Sequence, residues 1–170
     1  MTARLFSRRR FLGTGAGALG LAMLAPSLAS AAYGDSELML LSCMDPRLVH
    51  DVHEYMEAKK LRGAYSQVAL AGGPVAAVAP AFKKWHPAIW DNLDATIKLH
   101  NIKRVFGLTH RDCGAVKIAY GEAKVANPDI ELQTHRTILA AFRVEVKKRQ
   151  PRLGCDTGIM ALNGSVEMIG

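Results

Sequence analysis

Three short strand candidates alternate with helix-like segments along this chain, and this alternation constrains its fold more than any other feature. They are residues 38–42, which form a continuous apolar run, and residues 65–71 and 104–109. Between them, residues 48–60 and 88–100 place apolar side chains at helical intervals. Strands that alternate with helices predict an α/β fold with a mainly parallel β-sheet flanked by helices.

The rest of the chain extends this pattern. Residues 74–87 contain three prolines and predict a loop with one helical turn, and a short helix is expected from about Cys113. Residues 130–149 have the spacing of a long amphipathic helix. Residues 158–162 and 165–168 flank Asn163-Gly164, a strong turn pair, and predict a C-terminal antiparallel hairpin. Residues 32–170 are expected to form a single domain.

The first 31 residues have the composition of an export signal. Ser7-Arg8-Arg9-Arg10-Phe11-Leu12 resembles the twin-arginine consensus, a Gly/Ala/Leu run follows, and Ala29-Ser30-Ala31 is an A-x-A cleavage site. The apolar stretch 11–25 is shorter than the ~20 residues that span a bilayer. We therefore expect residues 1–31 to be a cleaved twin-arginine signal peptide that the Tat export machinery recognises. The protein is expected to be periplasmic or otherwise exported, with no stable membrane span.

This leader also explains the basic charge of the chain. The net charge is +7, and residues 1–31 hold four arginines and no acidic residue. The remainder has 18 basic and 15 acidic residues, a balance too even to predict nucleic-acid binding.

Two short motifs carry the predicted chemistry. Cys43-Met44-Asp45-Pro46-Arg47 lies at the end of the first strand candidate, and His110-Arg111-Asp112-Cys113-Gly114 lies at the end of the third. Parallel strands bring the groups at their carboxyl ends into one crevice. Cys43, His110 and Cys113 together offer two sulfurs and one imidazole, a set that suits tetrahedral Zn²⁺ and leaves a fourth position free. The alternatives for Cys43 and Cys113 are a disulfide, the default in an oxidising compartment, or two buried thiols.

Asp45 and Arg47 lie two residues apart, so the guanidinium can fork onto the carboxylate and keep it ionised. Beside a zinc ion, this carboxylate would either orient a bound water or become the fourth ligand. Arg47 would select between these open and closed states.

C-x-D-x-R followed by H-x-x-C, with Asp-Cys-Gly-Ala at 112–115, resembles the β-class carbonic anhydrases. The resemblance extends from Leu38 to the terminal hairpin. It implies a β-carbonic-anhydrase-like fold that works as a homodimer or higher homo-oligomer. It also implies one Zn²⁺ per chain on Cys43, His110 and Cys113, with Asp45 and Arg47 as the catalytic pair. The implied reaction is the reversible hydration of CO₂ to bicarbonate by zinc-bound hydroxide.

The chain departs from the family in the residues expected to face substrate. Ala69-Leu70-Ala71-Gly72-Gly73 stands where many members have Arg-Asn-Ala-Gly-Asn, and residues 33–42 lack the glutamine that many place before the first cysteine. Two alternatives therefore stand beside CO₂ hydration. One is hydrolysis of a CO₂ analogue, carbonyl sulfide or carbon disulfide, and the other is a zinc-binding family member with little activity.

Two further residues have simpler interpretations. Cys155 has no ligand-like partner nearby in the sequence and is expected to pack as a small apolar residue. His135 is isolated and is expected to be a surface residue or a core residue with its hydrogen bonds satisfied.

Overall fold

The computed structural model describes residues 36–170, so the predicted signal peptide lies outside the described residues. The described chain forms one five-stranded sheet with the order β2-β1-β3-β4-β5. The strands are β1 (Leu38–Cys43), β2 (Tyr65–Leu70), β3 (Arg104–His110), β4 (Gly154–Met160) and β5 (Val166–Met168). The first four strands are parallel, and β5 runs antiparallel to β4. The predicted fold class is thereby confirmed.

Five α-helices connect and cover these strands. They are α1 (Val49–Ala58), α2 (Pro74–Val78), α3 (His86–His100), α4 (Gly114–Tyr120) and α5 (Pro128–Arg149). Short 3₁₀ segments occupy Pro46–Leu48, Pro80–Trp85 and Glu122–Val125. Among the described residues, no helix has the length and apolar character that crossing a bilayer requires.

The alternating side chains of β1 explain the two layers of helices. Leu38 and Leu40 point to one face of the sheet and pack with residues of α1, including Val52 and Met56. Met39 and Leu41 point to the other face, where they join the larger apolar cluster that includes residues of α2, α3 and α5. Because both faces are covered, β1 is apolar from Leu38 to Leu41 instead of alternating with polar residues.

Helix α5 closes over β3 through a complementary pair of residues. A Cβ atom on Gly107 would lie 2.7 Å from the ring of Phe142, so the missing side chain makes room for the phenylalanine. Asn127 caps the helix by accepting hydrogen bonds from the N–H groups of Asp129 and Ile130, and Pro128 occupies the first turn.

The structure changes two parts of the sequence prediction. Residues 74–87 are mostly helical, since Pro74 and Pro80 each begin a helical segment, where a missing N–H costs nothing. Strand β4 begins at Gly154, four residues before the predicted hairpin strand, and pairs along its length with β3. The antiparallel hairpin itself is confirmed.

Candidate metal centre

The carboxyl ends of β1 and β3 bring together the three predicted metal ligands. Cys43 ends β1, His110 ends β3, and Cys113 lies immediately before α4. One potential ligand atom from each of these residues lies within 4.8 Å of the other two. All three cysteines are free, so the disulfide alternative for Cys43 and Cys113 is not what the structure contains.

The imidazole of His110 is oriented as a metal ligand. Its Nδ1 lies 2.8 Å from the carbonyl oxygen of Arg111, which can only accept a hydrogen bond, so Nδ1 carries the proton. In the neutral ring, the form that binds metal, the other nitrogen, Nε2, presents a lone pair, and it is buried without a hydrogen-bond partner among the described residues. A backbone carbonyl that fixes one ring nitrogen while the other faces a cluster of sulfurs is typical of metal-binding histidines.

The two thiols have opposite pKa shifts because they share one site. Hydrogen bonding from Cys113, assisted by His110 and the N–H of Gly72, lowers the pKa of Cys43 against the opposing effect of burial. The same contact with Cys43, together with burial, raises the pKa of Cys113. Burial alone would lower the pKa of His110, but the neighbouring Cys43 outweighs it and the pKa rises. The site therefore favours a thiolate, the form that binds metal. Two sulfurs and one imidazole nitrogen within 4.8 Å of one another fit a tetrahedral zinc ion.

Asp45 and Arg47 form the forked pair predicted from their spacing. Arg47 donates from Nε to Asp45 Oδ1 at 3.0 Å and from Nη2 to Oδ2 at 2.8 Å. Its backbone N–H also donates to Oδ1. The side-chain hydrogen bonds of Arg47 lower the pKa of Asp45 to about 2, and Asp45 Oδ2 lies 3.9 Å from His110 Nε2. An ionised carboxylate thus lies beside the cluster.

Three groups that the sequence analysis missed also belong to this region. Asp112 accepts hydrogen bonds from Arg47 at its carboxylate (2.9 Å) and its carbonyl oxygen (3.1 Å). Gly72 donates its N–H to Cys43 Sγ at 3.2 Å. Glu131 contacts the segment between His110 and Cys113. Asp112 and Gly72 lie within motifs that were recognised, but no sequence pattern distinguishes Glu131 from the other acids of its helix.

A small cavity and an apolar groove lie near the cluster. Behind Cys43 and His110, the cavity has a volume of about 10 Å³, close to the minimum for one water molecule. Beside the site, Met44, Leu70, Ala71 and Trp85 line part of an apolar groove of about 410 Å³. We call this the Trp85 groove.

Comparison with known proteins identifies relatives by sequence. The chain is 33% identical to an uncharacterized protein of Rickettsia conorii over 135 residues, which cover 79% of this chain and 73% of the relative. It is 32% identical to an uncharacterized protein of Rickettsia bellii over 135 residues, covering 79% of this chain and 82% of that protein. The chain belongs to the family of these two rickettsial proteins. No model of a known protein family matches it.

Solved structures show which fold this member of the rickettsial family has. A carbonic anhydrase from Glaciozyma antarctica matches with a TM-score of 0.51 and 17% identity, covering 89% of this chain and 100% of that chain. The β-carbonic anhydrase CafA of Aspergillus fumigatus matches with a TM-score of 0.54 and 16% identity, covering 85% and 79%. Tetrameric β-carbonic anhydrases from Sordaria macrospora give 0.53 and 11%, covering 84% of each chain. These likenesses show the β-carbonic anhydrase fold.

Proposed function

We propose that this protein is a zinc enzyme that interconverts CO₂ and bicarbonate. The observation that carries the proposal is the cluster of Cys43, His110 and Cys113, with the unpartnered Nε2 of His110, on a β-carbonic anhydrase fold. Zinc held there supplies a Lewis acid that makes water nucleophilic near neutral pH.

Asp45 orients the attacking water in this proposal. Its low pKa keeps the carboxylate ionised at neutral pH, which makes it a hydrogen-bond acceptor and a poor general base. Arg47 donates two hydrogen bonds to Oδ1 and one to Oδ2, so Oδ2 keeps a second lone pair available for the water. The pair of residues therefore holds a fixed acceptor 3.9 Å from the ring nitrogen of His110.

A second candidate reaction is hydrolysis of carbonyl sulfide or carbon disulfide. It is favoured by the apolar residues Leu70 and Ala71, which line the Trp85 groove next to the site. These less polar substrates need fewer hydrogen-bond donors than bicarbonate does. A zinc-binding protein with little activity is the remaining alternative.

Stopped-flow CO₂ hydration by the zinc-loaded protein, run beside assays with carbonyl sulfide and carbon disulfide, tests these candidates. Wild-type protein should hold about one zinc per chain, and Cys113→Ser should lose the metal and the activity together. Cys155→Ser is the matched control, since Cys155 lies in β4 outside the cluster, and it should keep both. Full zinc retention by Cys113→Ser would reject the ligand assignment.

We also propose that the protein is exported folded through the twin-arginine route, on the strength of the motif at residues 7–12. Replacing Arg8 and Arg9 together by lysine should leave the precursor in the cytoplasm, whereas Arg4→Lys should not. Normal periplasmic delivery of the double variant would overturn this proposal.

The Trp85 groove supports a further proposal, that a second copy of this chain covers it. Met44 and Trp85 are exposed apolar residues at the groove, and β2 beside it is an edge strand. The β-carbonic anhydrases of Sordaria macrospora that share this fold are tetrameric. A dimer formed here would bury apolar surface and place the partner next to the metal centre.

A further inference from the structure

Glu131 is a buried acidic residue in the first turn of α5, only 9% exposed. One carboxylate oxygen accepts a hydrogen bond from the backbone N–H of Asp112 at 2.6 Å. The other accepts from Arg111 Nη1 at 3.2 Å. Helix α5 thus binds both residues that separate His110 from Cys113.

These two residues determine how His110 and Cys113 are presented. Asp112 has a φ of 54°, a left-handed conformation that a non-glycine residue adopts at a cost. Arg111 accepts the hydrogen bond from His110 Nδ1 at its carbonyl oxygen and donates its N–H to Met160. The hydrogen bond to Glu131 holds the Asp112 N–H in this turn. If it were lost, this peptide would be held at its carbonyl oxygen, by His110 Nδ1, and no longer at its N–H.

The same turn also supports the catalytic pair. The carboxylate and carbonyl oxygens of Asp112 accept hydrogen bonds from Arg47, and Arg47 in turn forks onto Asp45. A continuous series of hydrogen bonds, none longer than 3.2 Å, therefore connects Glu131 to Asp45 through Asp112 and Arg47. Displacing Asp112 would move the groups that fix the position of the Asp45 carboxylate.

We propose that Glu131 is a positioning residue of the metal centre, which sets the spacing of His110 and Cys113 and anchors Arg47 through Asp112. This inference rests on the proposed function in that it takes the cluster to bind zinc. Residues that hold metal ligands in place commonly change metal affinity 10–100-fold when they are replaced.

The test measures zinc affinity by competition with a chelator, at a temperature where urea unfolding shows each variant to be folded. Glu131→Ala should weaken zinc binding up to about 100-fold. Glu131→Gln should weaken it about 10-fold, because its amide oxygen can still accept from Asp112 while its NH₂ group faces Arg111. Glu145→Gln is the matched control on the same helix, where Glu145 pairs with Arg149, and it should bind zinc as the wild type does.

A double-mutant cycle tests the route through Asp112. The effects of Glu131→Gln and Asp112→Asn on zinc affinity should be non-additive, because both changes act on one turn.

Lower stability of the Glu131 variants with unchanged zinc affinity would show a purely structural role and overturn the inference. The readout also separates this inference from the proposed function. Wild-type protein that binds zinc but turns over none of the three substrates refutes the enzyme proposal and leaves the Glu131 prediction standing.

Discussion

Arg47 is the residue on which most of the hydrogen bonds around the metal centre converge. Its guanidinium binds Asp45 and Asp112, two acids that come from different motifs. These hydrogen bonds raise the pKa of Arg47 and lower that of Asp112, so all three side chains are charged at neutral pH. The spacing of Asp45 and Arg47 predicted their pairing. Asp112 could not be assigned in this way, because its contact with Arg47 depends on how β1 and β3 lie side by side.

Replacing either member of the pair should separate metal binding from activity. In Arg47→Ala, the freed Asp45 carboxylate is expected to become the fourth ligand, so zinc stays while hydration slows. Asp45→Asn should lower the rate by about 10²–10⁴-fold without closing the site. Metal analysis, stopped-flow rates and absorption spectra of the cobalt-substituted proteins distinguish the two. Arg62→Ala, at an exposed arginine paired with Glu57, is the control. If Arg47→Ala kept its turnover with Asp45 away from the metal, Asp45 and Arg47 would form only a structural ion pair.

His135 departs from the expectation of a satisfied core residue. It is fully buried, and neither ring nitrogen has a hydrogen-bond partner among the described residues, although Glu131 lies 4.0 Å from Nε2. Burial, reinforced by the positive charges of His110 and Arg111, lowers its pKa to about 4. The folded protein therefore holds His135 neutral at neutral pH, whereas the unfolded chain protonates it below about pH 6.5.

Acid should consequently destabilise the protein through His135. Between about pH 6.5 and 4 the unfolded state binds a proton that the folded state does not, so the free energy of unfolding falls as the pH falls. The full loss is about 3 kcal/mol. His135→Leu should flatten this part of the pH profile, measured by urea unfolding with a chelator present throughout. The exposed His50 provides the control, since His50→Gln should keep the wild-type slope. If His135→Leu lost stability with falling pH as steeply as the wild type does, His135 would not be the cause of this pH dependence.

Among the elements, the strands show how far the sequence could predict this fold. The core strands β1 and β3 were predicted because both faces are buried, which produces continuous apolar runs. The first half of β4 was missed because it contains Asp156 and is only partly buried. Helix α5 was predicted, but Glu131 was not singled out, because helical periodicity cannot distinguish a buried acid that hydrogen-bonds another element from a solvent-facing one.

The turn between β2 and α2 depends on glycine at position 73. Gly73 has a φ of 54°, and a Cβ atom there would lie 2.7 Å from the backbone carbon of Ser42 in β1. Gly73→Ala should therefore cost more than about 3 kcal/mol, from backbone strain together with overpacking. Gly63→Ala has a similar positive φ with open space around it, so it should cost only about 1–2 kcal/mol. Urea unfolding of the two variants measures the difference, and equal costs would show that the contact with β1 relaxes freely.

For the molecule as a whole, the Trp85 groove predicts self-association. Ala88 lies exposed in this groove, so Ala88→Arg should introduce a charge there without removing a packed side chain. We expect the variant to shift from dimer to monomer in light scattering coupled to size-exclusion chromatography. Ala141→Arg makes the same change at an exposed position of α5 outside the groove and should leave the dimer intact. A monomeric wild type, or a dimeric Ala88→Arg, would exclude this interface.

The pairing of β1 with β3 also has a consequence for the order of events in folding. Leu38 in β1 pairs with Arg104 in β3. The chain between them contains α1, β2, α2 and α3, and all of it must be synthesised before these strands can meet. Such a distant contact is entropically costly to close and is made slowly. Cys43 and His110 end these two strands, so the same pairing brings them together. In the proposed zinc enzyme, metal binding is therefore expected to follow the formation of the sheet.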